Sequence, residues 1–460
     1  MQRQKYAAVI LAAGQGTRMK SVVPKVLHEI AGRPLVAWPV EQARQLGCET
    51  ISVVVGHGSD AVRDKLGADL QYPVQTEQLG TGHALLSAEA SLAGFCGTVL
   101  LLCGDVPLLR QETLQRLLDL HHAEQAAVTV LTALVDDPFG YGRILRDGQL
   151  VQAIVEEKDA TETQKKINEI NTGIYAFEAP YVFEALRSVG RENAQGEYYL
   201  TDVVAAAFAA GRTVCALQAD SVEEVHGIND RVQLSAAARA IRKRLNTEWM
   251  RQGVGMIDPE TTYIDADVQI GSDTILYPNL SLRGTTVIGR DCIIEPGVVI
   301  TDCEIGDRVH IKSGSVLAES KVGDDGAIGP MAHLRPGTIL DGDNKIGNFV
   351  ETKKAHLGVG SQASHLTYLG DAEIGRNVNF GCGTITCNYD GRDKYQTVVE
   401  DDVFVGSDTQ FIAPVRIGRN SLIAAGSTIT KDVPPDSLAI ARSEQCNIEG
   451  WAKKKKKSKK

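Results

Sequence analysis

The chain has 460 residues, 43% of them hydrophobic and 23% charged, a balance that excludes a mainly disordered protein. Its length favours two or more domains. Net charge is −10, but without the lysines at 453–457, 459 and 460 the chain carries 41 basic against 58 acidic residues, a balance of −17. So acidic a body argues against broad nucleic-acid binding, which needs a basic face.

No apolar run reaches the ~20 residues of a membrane helix, so no membrane insertion is expected. The aliphatic stretch 6–13 follows only Arg3 and Lys5 and runs into a glycine-rich loop instead of a cleavage site. It reads as the first buried strand of a cytoplasmic protein. Nine scattered cysteines with no CxxC pair suit free thiols in a reducing compartment.

Up to about residue 230, short aliphatic runs (7–11, 51–55, 99–102) alternate with amphipathic segments such as 111–122, where Leu114, Leu117 and Leu118 share a face. That alternation predicts an α/β domain with a mostly parallel, Rossmann-like sheet. Ligands of such sheets bind beyond the carboxyl ends of the strands. The first strand runs into Leu11, Ala12, Ala13 and Gly14, then Gly16, Arg18 and the pair Pro24-Lys25. Glycines there let backbone N–H groups approach a polyphosphate, and Arg18 and Lys25 add positive charge. Asp105 follows another strand in Cys103-Gly104-Asp105; a single such Asp is by default a turn residue, but its position beside the candidate phosphate loop favours a carboxylate for Mg²⁺.

Residues 230–252 read as one helix with Leu234, Ala238, Ile241, Leu245 and Trp249 on one face. Asn229 or Asp230 is its expected N-cap and Gly253 its stop. From about residue 264 a six-residue beat sets in, with Ile-Gly pairs at 270, 288, 305, 328, 346, 374 and 417. One aliphatic residue per face of a three-sided prism explains a period of six and a coil of 18. A parallel β-helix follows, interrupted by a surface loop within 385–397.

The loop through Pro24-Lys25 resembles the signature of sugar-phosphate nucleotidyltransferases. Further strings narrow the match: Gln75 to His83 with Gly80 and Thr81, Gly140-Tyr-Gly-Arg143, Val155-Glu156-Glu-Lys158, Asn171-Thr-Gly173 and Gly227-Ile-Asn229. Together they resemble the bacterial bifunctional family of N-acetylglucosamine-1-phosphate uridylyltransferase and glucosamine-1-phosphate N-acetyltransferase, over essentially the whole chain. The resemblance implies a uridylyltransferase domain at 1–231, a helical linker at 232–252 and a left-handed β-helix acetyltransferase domain at 253–460. It implies that Gln75, Gly80 and Thr81 hold the uracil end of UTP. Gly140, Glu156 and Asn171 would hold the acetamido sugar, and Asp105 with Asn229 would ligate Mg²⁺.

For the second activity, the resemblance implies His365 as general base and Arg335, Lys353, Tyr368 and Asn379 as ligands of the amino-sugar phosphate. Cys382, Asn388, Tyr389, Ser407, Ala425 and Arg442 would line the acetyl-CoA site. A histidine suits the removal of an amine proton near neutral pH. The family's Gly-Ala-Gly is here Gly381-Cys382-Gly383, which places a thiol where acetyl-CoA would lie, with Cys103 as a competing thiol. The family further implies a homotrimer and a product that feeds cell-envelope polysaccharides such as peptidoglycan and lipopolysaccharide. A rival reading is a single-activity nucleotidyltransferase with a regulatory β-helix. The lysine tail reads as a solvated charge run or as a neighbour of the CoA phosphates.

Overall fold

The computed structural model describes residues 4–14, 16–56, 59–148 and 150–457. Gln15 of the first loop and lysines 459 and 460 of the tail lie outside the described residues. The chain forms two compact units, Met1–Ile241 and Arg242–Lys460.

In the first unit the aliphatic runs become strands β1 (Tyr6–Leu11), β2 (Thr50–Val54) and β3 (Thr98–Cys103). With β4 (Val128–Leu134), β5 (Glu169–Glu178) and β6 (Val214–Gln218) they build a sheet of order β6-β4-β5-β3-β1-β2. β1 pairs parallel with β2 and β3, and β6 with β4. β5 runs antiparallel between β3 and β4, so the mostly parallel sheet has one reversed central strand. Aliphatic composition reports burial on both faces, not direction, and could not have revealed this. A hairpin of Arg143–Asp147 and Leu150–Val155 hangs from β5. Helix Gln111–Ala123 presses Leu114, Leu117 and Leu118 into the core, all fully buried.

A helix spans Arg231–Arg251. Asp230 caps it, its Oδ1 accepting from the N–H groups of Val232 and Gln233, each at 2.9 Å. Buried Asn246 donates from Nδ2 to the carbonyls of Pro259 (2.7 Å) and Thr262 (2.9 Å), tying the last turns to the first coil of the second unit.

The second unit is the parallel β-helix. Two-residue strands put one residue out and the next in: Leu276, Ile294, Ile311, Ile328 and Ile346 succeed one another up a single inner column. The step is 17 or 18 residues, not a uniform 18. The loop lengthens one step to 25, Phe380 pairing with Val405. Corners in the left-handed region fall mostly to residues such as Asp291, Asp325 and Asp402, whose short polar side chains tolerate it. Three successive corners break that rule. Met331, Phe349 and Leu366 have φ of 52°, 57° and 43° and remain more than half exposed. Among the described residues no helix is long and apolar enough to cross a membrane.

His121 gives the first unit an acid weakness. It is buried, with Nδ1 3.0 Å from Thr129 Oγ1, and burial, aided by the neighbouring His122, pushes its pKa down to about 4. An unfolded chain takes up this proton near the ordinary value of about 6.5. The stability His121 contributes above pH ~6.5 is therefore lost as pH falls towards 4, by at most roughly 3 kcal/mol. His121→Gln should flatten the pH dependence of unfolding between 6.5 and 4. Parallel denaturant midpoints for parent and variant across that window would contradict this.

Candidate functional sites

The loop after β1 and the turn after β3 meet through the backbone: Gly104 N donates to Leu11 O at 2.9 Å. Gly16 takes φ 60°, and a Cβ there would lie 2.4 Å from the Cβ of Lys25. Only glycine lets Lys25 lie against this loop. The Lys25 Nζ then reaches Asp105 Oδ2 at 2.5 Å and Asn229 Oδ1 at 3.4 Å. Arg18 Nη2 donates to the same Asn229 oxygen at 3.0 Å, and Ile228 N donates to Asp105 O at 2.9 Å. Arg18, Lys25, Asp105 and Asn229, separated by up to 211 positions in sequence, thus form one cluster. Among the described residues there is no group of three or more His, Cys, Asp or Glu suited to a metal. The oxygens that do converge here are the carboxylate of Asp105 and the amide of Asn229.

Beside the cluster, buried Gln75 donates from Nε2 to Gly80 O at 3.1 Å and meets His83 Nδ1 at 3.3 Å. Thr81 opens the helix Thr81–Ser87, and its Oγ1 accepts from Leu200 N at 3.4 Å. Gln78, inside the same string, donates to Ala13 O at 2.9 Å and bridges this segment to the β1 loop. Asn171 Oδ1 accepts from Tyr175 Oη at 2.8 Å and from Gly173 N at 3.0 Å. Gly140 N donates to Glu157 Oε2 (3.2 Å), which also takes the nearly inaccessible Arg143 Nη2 at 2.5 Å. Glu157 pins the turn of Gly140, although the sequence pointed only to its neighbour Glu156.

Cys103 lies at the end of β3, just before the acidic turn. Burial, reinforced by the Asp105 carboxylate, pushes its thiol up to about 12, and its Sγ lies 3.5 Å from Gly173 O. Such a thiol forms its thiolate less readily than an ordinary cysteine.

The β-helix sorts the remaining residues into two groups. His365, Cys382, Ser407, Ala425 and Arg442 climb one corner on successive coils. Leu366 O accepts from Gly383 N (3.0 Å), Cys382 O from Asp408 N (2.7 Å) and Ser407 O from Gly426 N (2.8 Å). Ala425 O receives Arg442 Nη1 at 2.5 Å. Asn379 sits on the adjoining face, in register with Gln362 and Phe404. The second group occupies another face. Arg335 Nη1 donates to Glu351 Oε1 at 2.7 Å, and Glu351 is in register with Tyr368. Lys353 Nζ lies 3.6 Å from Asp371 Oδ2, the oxygen that also receives Asn388 Nδ2. Tyr389 folds back, its Oη donating to Gly391 O at 2.7 Å. Lys394, on the same loop, comes against Lys353, and its ammonium raises no periodic signal that sequence reading could have used. Among the described residues no hydrogen bond links the two groups.

Residues 8–164 match the family described as MobA-like NTP transferase domain, residues 258–357 the GMPPB C-terminal domain and residues 396–431 the bacterial transferase hexapeptide (six repeats). The protein is thus a two-domain transferase, nucleotidyltransferase followed by hexapeptide repeat. The bifunctional protein GlmU of Syntrophotalea carbinolica is 64% identical over 452 residues, covering 98% of this chain and 97% of that protein. Its counterpart in Trichlorobacter lovleyi is 57% identical over 453 residues, 98% of each chain. A UDP-glucose pyrophosphorylase complexed with UDP-glucose is 21% identical with a TM-score of 0.43, over 52% of this chain and 99% of that one. On the strength of its full-length relatives, the chain belongs to the GlmU family.

Glu156 carries a testable electrostatic signature. Burial pushes its carboxyl above the usual glutamate range, and Asp159, Asp202 and Glu197 push the same way against the Thr201 hydroxyl at 3.2 Å. The fold therefore holds a proton that the unfolded chain releases, and stability falls as pH rises above the ordinary glutamate value. Glu156→Gln removes that loss. Its melting temperature should rise relative to the parent above this window and converge with it below. A difference that stays constant from pH 4 to 8 would rule this out.

Proposed function

We propose that the chain acetylates glucosamine 1-phosphate with acetyl-CoA and then transfers UMP from UTP to the N-acetylglucosamine 1-phosphate formed, giving UDP-N-acetylglucosamine and pyrophosphate. The observation that carries this reading is 64% identity along the full length of a relative named as bifunctional. A regulatory β-helix, the rival, would have no use for the His365 column and the Lys353 cluster.

The segment of residues 1–231 carries uridylyl transfer, and the β-helix segment from 253 onward carries acetylation; the segment 232–252 joins them. An oxygen of the sugar 1-phosphate attacks the α-phosphorus of UTP in line; the new P–O bond forms as the bond to the bridging oxygen breaks, and pyrophosphate departs. A phosphate oxygen is already a competent nucleophile, so the site has to position and neutralise. Arg18 and Lys25 supply positive charge against the triphosphate. Backbone groups of the loop at Leu11, Ala12, Ala13 and Gly14, with Cys103 and Gly104, flank the nucleotide. Gln75, Gly80 and Thr81 take the uracil, and Gly140, Glu156 and Asn171 the acetamido sugar.

Asp105 and Asn229 fit Mg²⁺: both offer hard oxygens, and one cation, the Lys25 ammonium, already lies within reach of both. When bound, the metal would neutralise charge on the phosphates.

In acetyl transfer, the amine of glucosamine 1-phosphate attacks the thioester carbonyl while His365 takes the amine proton; the C–S bond then breaks and CoA leaves as its thiol. Arg335, Lys353, Tyr368 and Asn379 bind the sugar phosphate. Asn388 and Tyr389 on the loop, and Cys382, Ser407, Ala425 and Arg442 on the column, line the acetyl-CoA site. The separation of the two groups on one prism supports a homotrimer in which neighbouring prisms complete each site. The exposed apolar corner of Met331, Phe349 and Leu366, beside His365, supports contact there. The protein would work in the cytoplasm, and no nucleic-acid partner is expected of its acidic body.

The two activities should separate. Asp105→Ala should abolish pyrophosphate release and leave acetylation, while His365→Ala should cost acetylation on the order of 10²–10⁴ and spare uridylyl transfer. A coupled assay omitting each substrate in turn reads both; loss of both activities in either folded variant contradicts two sites. For assembly, sedimentation should give a trimer. Co-expressed His365→Ala and Lys353→Ala chains, each inactive in acetylation alone, should regain roughly a quarter of parental activity by random mixing. No recovery in verified mixed trimers would place each site within one chain.

A further inference from the structure

We propose that Asn348 is the positioning residue of the acetyl-transfer base: its side-chain oxygen holds His365 as the Nδ1–H tautomer and leaves Nε2 to accept the proton. This rests on the acetyltransferase reading above.

Asn348 and His365 occupy equivalent places on consecutive coils, in register in the strands Lys345–Asn348 and Gln362–His365. Asn348 Oδ1 lies 3.0 Å from His365 Nδ1. Among the described residues His365 makes no other side-chain hydrogen bond, so Nε2 is free. An amide oxygen only accepts, so the facing ring nitrogen must carry the proton. In a neutral imidazole the other nitrogen is then the base.

The backbone is built to bring these two residues together. Gly347 precedes Asn348, and a Cβ there would lie 1.8 Å from Ser364 O, the carbonyl just before His365. Any larger residue would force the coils apart at this step. The corner beyond is tied by Leu366 N donating to Asn348 O at 3.0 Å and Thr367 Oγ1 donating to His365 O at 2.7 Å. The carboxylates of adjacent coils are engaged elsewhere: Glu351 with Arg335, and Asp371 with Lys353 and Asn388. A neutral amide is what remains to orient the ring. As His365 takes the amine proton, both nitrogens carry hydrogen, and the amide oxygen keeps its bond throughout.

The test compares Asn348→Leu, which keeps the bulk and loses the acceptor, with Asn348→Asp, which keeps an acceptor, both in the full-length protein. For Leu, kcat of acetyl transfer should fall about 10- to 100-fold, while KM for acetyl-CoA and glucosamine 1-phosphate stays within about twofold. The Asp variant should retain most of the rate. Uridylyl transfer and sedimentation check that each variant is folded. In parallel, ¹⁵N NMR of histidine-labelled parent should show Nδ1 protonated and Nε2 bare in neutral His365. A folded Leu variant with unchanged kcat, or a parent with Nδ1 bare, overturns the inference. Full acetyl transfer in His365→Ala would instead remove the base assignment, and the NMR arm would still decide the tautomer.

Discussion

In the second unit a residue's neighbours are set by backbone hydrogen bonds between coils, not by the fold of a core. Each coil donates to the next at fixed register, so residues 17 or 18 positions apart stack. Side-chain columns follow without further specification: an inner aliphatic column that excludes water, and outer columns of residues that face solvent. The inner column supplies the driving force, since a single coil could not bury its own aliphatic residues. Function on the outer columns therefore varies with little cost to the core.

The first unit works by convergence. Strand ends deliver a glycine-rich loop and an acidic turn to one place, and Lys25 sits between oxygens that come from distant parts of the chain. Its ammonium faces the Asp105 carboxylate, a fixed positive charge at the end of the glycine-rich loop. Buried partners hold the surroundings still: Arg143 with Glu157 behind the Gly140 turn, and Gln75 against Gly80.

The periodic elements were legible from sequence because burial imposes a period. Aliphatic runs marked β1, β2 and β3 to within about a residue, and the six-residue beat marked the prism. The reversed β5 was not legible, since an aliphatic strand buried on both faces reads alike in either direction. Lys394 and Glu157 were missed for a different reason. Each is one charged residue in a segment without period, and only its partner, Lys353 or Arg143, gives it meaning. Asn348 was invisible too, because its significance lies in His365 being 17 positions further on, on the next coil.

The corner that carries His365, Cys382, Ser407, Ala425 and Arg442 has a geometric consequence. Strands in a sheet lie about 4.8 Å apart, so these four steps make a rail of roughly 19 Å running along the prism axis. A long, flexible acyl carrier laid on such a rail would meet a protein contact at each rung and end with its reactive group at the histidine. The repeat would then act as a measuring stick: an extra coil between His365 and Arg442 would lengthen the rail by one strand spacing, about 4.8 Å, and leave the existing rungs in place.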